Sequence, residues 1–438
     1  MPTIRLPGTP DLLSLHAANP QRYPYLLQTP GTGGWDILFA FPQQTFFHTL
    51  ADVRRRDSSF FSLLDAQWRG AALARSIGPA ELPFSGGWFV YLGYELLHEL
   101  EPSVTLGDAS SSFPLACLSR IPAAILVDRT NRRTILLAES GYDDCLGALR
   151  ADVAGACEFE PLSLGVADLE EDDEAIFLDG VERIKRYITE GDVFQVNLSR
   201  RWQARLDDAA MGANLYANLR RRNPAPFSGI ADFGQCQIAS SSPERLVRVH
   251  DGWVETRPIA GTHPRSADAG EDDALRQALS AHPKERAEHI MLVDLERNDL
   301  GRICLPGTVE VDELMAVQSY AHVHHIESNV RGRLRDDVTP AGVLRALFPG
   351  GTITGCPKVR TMQIIRELEA SPRLAYTGSM GYLNRDGSMD LNILIRSFML
   401  EGDRLSFRAG AGIVADSIAQ KELTETRCKA EGLLRALK

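Results

Sequence analysis

The sequence predicts a mixed α/β (α+β) protein built on a large sheet, and three observations carry that reading. Short apolar runs alternate with turn residues through 1–150. From Ile176 onward, strand-like alternation and helix-like spacing take turns to the end of the chain. Between 84 and 95, a run rich in glycine and aromatic residues is patterned as a strand, where glycine marks a bulge or a close approach of backbones.

Taken in order, residues 35–41 and 123–127 predict strands, whereas 46–53 and 62–74 predict helices. The 84–95 run predicts one sheet edge meeting another. Residues 158–175 are acidic, with the run Glu170, Glu171, Asp172, Asp173 and Glu174, and predict a solvated linker. The expected division is therefore 1–157, an acidic linker at 158–175, and a second region at 176–438. Val181, Ile184 and Ile188 share a helix face that Gly191 ends, and 194–198 alternates like a strand. Pro283 stands where a helix can begin, and Ser417 where one can be capped.

Composition excludes several classes of function. A net charge of −11 repels nucleic acid and anionic membranes. It leaves room for a small anionic substrate if local cations reverse the sign. No run approaches the roughly 18 apolar residues of a membrane span. The start of the sequence, Met1 to Arg5, lacks a secretory pattern, and the seven cysteines (117, 145, 157, 236, 304, 356, 428) are scattered without a CxxC pair. Reduced thiols in a cytoplasmic protein are the expectation.

Several constellations can carry chemistry. Glu285 and Glu288 lie three apart on one predicted helix; Glu422, Glu425 and Lys429 form a stripe on another. Either helix alone reads as an ordinary charged surface, where Glu425–Lys429 is an ion pair worth about 0.2–0.5 kcal/mol. Four carboxylates facing one another would instead suit Mg²⁺, which takes oxygen ligands and keeps waters or substrate oxygens. The loop from Phe348 to Lys358 is glycine-rich, with Pro357 at a predicted first helical position, a setting that favours an anion. Residues 256–265 (including Ala260 and Thr262) form a turn that could approach a ligand. His322, His324 and His325 share a predicted strand, whose alternation sends His324 and His325 to opposite faces. Arg396, a cation in an apolar stretch, calls for an anionic partner such as a substrate carboxylate.

Together these residues resemble the chorismate-utilising family of anthranilate, aminodeoxychorismate, isochorismate and salicylate synthases. The resemblance runs from about Ile176 to Leu437, with the 84–95 run similar to the family's N-terminal half. It implies two interleaved halves around large antiparallel sheets, in the manner of anthranilate synthase component I. It also implies that Glu288 and Glu425 bind Mg²⁺ while Glu285 and Glu422 support the metal or its waters. Tyr376 and Arg396 would grip the enolpyruvyl carboxylate. Lys429 and the backbone at Gly410 and Gly412 would hold the ring carboxylate, with His325, Thr262 and Thr352 as ring-side polar contacts. Glu244 would protonate the departing C4 hydroxyl.

The resemblance also implies a branch. Water-using relatives carry a lysine where Gln195 stands, and glutamine cannot act as that base, so ammonia is the expected nucleophile. Gln195 to Leu198 and the His324–His325 pair resemble the branch that aminates C4, giving 4-amino-4-deoxychorismate for p-aminobenzoate and folate synthesis, and Leu26-Leu27-Gln28-Thr29 lacks the Leu-Leu-Glu-Ser letters common at the tryptophan feedback site of anthranilate synthases. Ala260 departs from that pattern: several C4-aminating relatives have a nucleophilic lysine there, and alanine is the letter of the C2-aminating anthranilate synthases. C2 amination with loss of pyruvate is thus the rival expectation, and a silent chorismate- or tryptophan-binding regulator is the rival from another class. With no amidotransferase region in the sequence, ammonia would come from a separate glutaminase subunit or from solution.

Overall fold

The computed structural model describes residues 1–438 except 31–32, 56–58, 75–81, 105–110, 209–210, 267, 282 and 320–322; side chains at 54–55, 262–264, 280, 283–284 and 323 also lie outside the description. Two large sheets form the frame, of twelve and ten strands among the described residues.

The first sheet runs Thr3–Pro7, Arg133–Ala138, Ala123–Asp128, Trp35–Ala40, Tyr25–Gln28, Phe227–Asp232, Cys236–Ser242, Ser397–Glu401, Arg404–Ile413, Gln195–Leu206 and Gly355–Cys356; Val166–Glu171 also pairs with Gln195–Leu206. The second runs Ile259–Pro264, Val323–Arg333, Trp253–Thr256, Arg245–His250, Met389–Asn392, Ser379–Asn384, Gly87–Leu92, Ala116–Ile121 and Thr45–His48, with Glu310–Ser319 on Val323–Arg333.

Each sheet takes strands from both parts of the chain. Tyr25–Gln28 pairs antiparallel with Phe227–Asp232, and Gly87–Leu92 with Ser379–Asn384. The halves are interleaved as the family resemblance implies, and the glycine-aromatic run is where edge meets edge. Gly87 explains its own presence: a Cβ there would lie 2.1 Å from the Leu383 carbonyl oxygen.

The sheets pack face to face over Phe39, Tyr91, Met380 and Met399, with Tyr25 stacked on Phe89 at 3.9 Å between ring centroids. Helices Leu12–Ala18, Gly212–Arg222 and Ala419–Ala436 bury apolar stripes on the outer face of the first sheet. Phe60–Ala71, Pro283–Gly301 and Pro340–Leu347 do the same on the second. No helix among the described residues is long and apolar enough to cross a membrane.

Local differences from the sequence reading have physical causes. The acidic stretch is not all linker: Val166–Glu171 is a strand, because its exposed charges suit a position beside Gln195–Leu206 and Arg427 pairs with Glu171 and Glu174. Asp173 then caps helix Glu174–Thr189 by accepting from the Ala175 N–H. Residues 46–53 divide into strand Thr45–His48 and helix Leu50–Arg55, and the next helix spans Phe60–Ala71, where the Ser59 side chain caps it. Ser417 does not cap the C-terminal helix. Its hydroxyl accepts from the Val414 N–H, and Ile418 is the N-cap without a side-chain bond. Pro357 is likewise the N-cap of Lys358–Leu368, one residue before the position expected.

Candidate active site

The site forms where the chain crosses between the sheets. Glu244 lies in the short connection from Cys236–Ser242 of the first sheet to Arg245–His250 of the second. Arg396 lies in the reverse crossing, between Met389–Asn392 and Ser397–Glu401. The crossings are stitched together: the Ile393 N–H donates to the Glu244 carbonyl at 3.0 Å, and the Ser241 N–H to the Arg396 carbonyl at 3.1 Å. Arg396 is not inside a strand, as its apolar neighbours suggested; it turns the chain with φ of 50°, a conformation uncommon outside glycine.

Glu244 is 5% exposed and accepts a 2.6 Å hydrogen bond from the Thr352 hydroxyl of the glycine loop. Burial pushes its carboxyl up to about 8; ionised Glu296 and Glu327 push the same way, against the Thr352 bond and the Lys429 charge. The carboxyl therefore holds its proton at neutral pH. Arg396 is largely buried, and among the described residues no side chain makes a hydrogen bond or ion pair to its guanidinium; burial lowers its pKa and the nearby Glu244 opposes this. A desolvated cation of this kind is a receptor for an anion.

On the other side, Gln195 and Asn197 begin strand Gln195–Leu206; Asn197 pairs with Gly412 and Ser199 with Gly410, near the end of Arg404–Ile413. Gln195 is buried and its amide nitrogen donates to Glu288 at 2.6 Å. Lys429 bridges Glu425 at 2.7 Å and the Gly410 carbonyl at 3.1 Å. Desolvation lowers the Lys429 ammonium, but Glu425, Tyr376 and Glu288 raise it overall. Tyr376 is buried, its hydroxyl facing Gly410 closely enough that a Cβ there would lie 2.9 Å away.

The third wall is strand Ile259–Pro264 against Val323–Arg333. Ala260 is 7% exposed, and Gly261, with φ of 65°, would bring a Cβ to 2.9 Å from Glu285 Oε2. His325 is buried, with Nδ1 3.3 Å from the Gly261 carbonyl; burial and the Arg396 charge push it down to about 4, so the imidazole is neutral. His324 faces the other way, towards Asp272 and Ser319, as strand alternation predicts. Thr262 pairs with His325 in register, but its side chain and all of His322 lie outside the described residues.

The four glutamates stand on two helices, Glu285 and Glu288 on Pro283–Gly301 and Glu422 and Glu425 on Ala419–Ala436. Among the described residues, no three His, Cys, Asp or Glu side chains form a metal-binding group. Glu288 meets Gln195, Glu425 meets Lys429, Glu285 lies near Gly261, and Glu422 is buried on its helix. Glu288 and Glu425 nonetheless act on the same ammonium, that of Lys429.

Sequence reading missed a buried hub behind the site. Arg373 donates to Glu369 at 2.7 and 3.0 Å, to the Asn197 carbonyl at 2.7 Å and to the Ile353 carbonyl at 3.1 Å. Arg408 completes it, donating to Glu369 at 3.0 Å. The i,i+4 spacing of Glu369 and Arg373 was visible, but such pairs abound on surfaces and nothing in the spacing reveals burial. Separately, Gln28 and Thr29 line a cavity of about 380 Å³ with Trp35, Phe227 and His250, sharing none of the residues above.

The family model described as "chorismate binding enzyme" matches residues 22–435. The chain belongs to that family. It is similar to an anthranilate synthase component I-like protein of Synechocystis sp., 40% identical over 82% of this chain and 74% of the relative. It is also similar to an aminodeoxychorismate synthase of Streptomyces griseus, 39% identical over 87% of this chain and 54% of that longer relative. The crystal structure of anthranilate synthase component I from Streptococcus pneumoniae superposes with a TM-score of 0.81 at 33% identity, covering 93% of each chain. The fold is that of anthranilate synthase component I, and the protein is a chorismate-utilising enzyme whose relatives include both anthranilate synthases and aminodeoxychorismate synthases.

Proposed function

We propose that the enzyme aminates chorismate at C4, using Mg²⁺ and ammonia from a glutaminase partner or from solution, to give 4-amino-4-deoxychorismate. The observation that carries the reading is Glu244, a buried carboxyl that keeps its proton at neutral pH and is oriented by Thr352, near Arg396, which has no partner among the described residues. Losing a hydroxyl requires a proton donor, and general acids typically contribute about 10²–10⁴ in rate. Arg396 and Tyr376 supply cation and hydroxyl for the enolpyruvyl carboxylate; Lys429 and the Gly410–Gly412 backbone receive the ring carboxylate. Neutral His325 can share a hydrogen bond with the ring side without adding charge.

Glu288 and Glu425 are hard oxygen donors facing a common cation, which fits Mg²⁺ with Glu285 and Glu422 in support; Mg²⁺ commonly takes only one or two carboxylates and completes its shell with water or substrate. Bound there, the ion would neutralise the substrate's ring carboxylate. Gln195, whose amide nitrogen donates a hydrogen bond to Glu288, has no titratable group and cannot act as a base, which favours ammonia over activated water as nucleophile.

A second reading, C2 amination with loss of pyruvate, is favoured by Ala260, whose methyl cannot form a covalent adduct. The deciding experiment incubates the protein with chorismate, Mg²⁺ and ammonium at alkaline pH, with a chelator control. A product converted to p-aminobenzoate by added aminodeoxychorismate lyase is expected. Fluorescent anthranilate would replace C4 by C2, and turnover unaffected by chelation would remove Mg²⁺ from the mechanism.

A further inference from the structure

Two helical turns beyond Glu288, helix Pro283–Gly301 carries Glu296, a carboxylate 7% exposed that none of the chemistry above employs. It lies against the glycine loop: a Cβ on Gly351 would fall 3.3 Å from Glu296 Oε1 and 2.4 Å from Leu295, so helix and loop touch without room for a side chain. The next loop residue is Thr352, whose hydroxyl holds Glu244 at 2.6 Å. Farther along, Lys358 pairs with Asp299 of the same helix, both largely buried, which fastens the loop at a second point. Two buried carboxyls thus sit on either side of Gly351 and Thr352.

We infer that Glu296 is a positioning residue for the proton donor: it seats the loop that places Thr352 against Glu244, and its negative charge keeps the proton on Glu244. The inference rests on Glu244 being the acid of the proposed reaction. Two like charges in one dry site cannot both form cheaply, so the pair loses its protons in two steps. Burial and the Asp299 charge push Glu296 up to about 7, with Lys358, the Thr256 hydroxyl and the Gly351 N–H opposing, while burial and the Glu296 charge push Glu244 up to about 8. The other charged groups facing Glu244 are Glu327 from strand Val323–Arg333, Lys429 from the C-terminal helix and Arg396 from the adjacent crossing. Glu327 is itself neutralised by Arg257 at 2.6 Å.

The sign follows directly. Activity needs Glu244 protonated and is lost as pH rises through its pKa. Removing the Glu296 charge lowers that pKa, so the alkaline fall of the rate must move to lower pH. Glu296→Gln keeps the size and hydrogen-bonding reach of the side chain. The experiment measures kcat against pH for wild type, Glu296→Gln and Glu244→Gln, with chorismate and Mg²⁺ saturating and free ammonia held constant. An inactive Glu244→Gln and a descending limb moved down by on the order of one pH unit in Glu296→Gln are expected. A limb unmoved in Glu296→Gln overturns the role of Glu296 and leaves Glu244 as the acid. Turnover retained in Glu244→Gln removes the acid assignment and this inference with it. If Glu296→Gln does not fold, Glu296→Asp keeps the charge and shortens the reach: a lower kcat with the limb in place is expected, and an unchanged kcat overturns the positioning role.

Discussion

At Gly410 and Gly412 the space that one methyl group would need is already taken by neighbouring side chains. A Cβ on Gly410 would meet Asn197 Oδ1 at 2.5 Å and Tyr376 Oη at 2.9 Å; on Gly412 it would meet the Gln195 amide nitrogen at 2.3 Å. These glycines are present because side chains of the site approach the strand from the neighbouring strand and from Tyr376. Gly410→Ala should therefore displace Tyr376 or Asn197, destabilise the fold by about 1–3 kcal/mol and raise the KM for chorismate. Chemical denaturation and steady-state kinetics check it, and wild-type KM in the variant would show that Gly410 does not border the substrate. At the same scale, Arg396 was legible as a candidate from its residue type and Thr352 and Glu244 from the family resemblance, while the raised pKa of Glu244 was not: it comes from burial and from Glu296 and Glu327, both distant in sequence.

Helix and strand ends set the next scale. The segment from Glu369 to Thr377 joins helix Lys358–Leu368 to strand Ser379–Asn384, and its charges are buried. Burial raises the Glu369 carboxyl, but the Arg373 and Arg408 charges and the Ser199 bond lower it further, so its folded pKa lies below the ordinary glutamate value. A carboxyl depressed in this way contributes stability that is fully present above its unfolded pKa and is lost as pH falls through the folded one. Glu369→Gln should lower stability at neutral pH and flatten its decline below the ordinary glutamate range. Urea midpoints measured from neutral to acid pH give the two slopes; equal slopes would mean that Glu369 is not held ionised by the arginines. Because Arg373 binds the carbonyls of Asn197 and Ile353, loss of this network should reach the site as well as the core.

Across the whole molecule, neither part has a complete sheet. Cutting within 158–175 would strip Tyr25–Gln28 from Phe227–Asp232 and Gly87–Leu92 from Ser379–Asn384, and would expose the face where Tyr25 stacks on Phe89. Fragments 1–157 and 176–438 should each fail to unfold cooperatively alone and should aggregate through the bared edges. Mixing them during refolding should recover a cooperative transition. Calorimetry on each fragment is the measurement, and a sharp transition in 176–438 alone would establish an independent catalytic unit despite the shared sheets.

The sequence by itself determined the elements whose signals are local. Apolar periodicity marked the strands at 35–40 and 123–128 and the helix after Asp173, and glycine in an aromatic strand marked the junction of the sheets. It also determined the family, since residues such as Glu244, Glu288, Arg396 and Glu425 keep their order along the chain. Tertiary structure alone decided what depends on neighbours distant in sequence. The acidic stretch became in part a strand because Gln195–Leu206 offered a free partner. The Ser417 hydroxyl went to the Val414 N–H, Glu288 took the Gln195 amide, and Glu425 took the Lys429 ammonium. Glu244 holds its proton because the crossing between the sheets buries it, and Arg396, in the reverse crossing, stands without a partner among the described residues. Spacing along a chain records which residues share a face; it does not record how dry that face becomes.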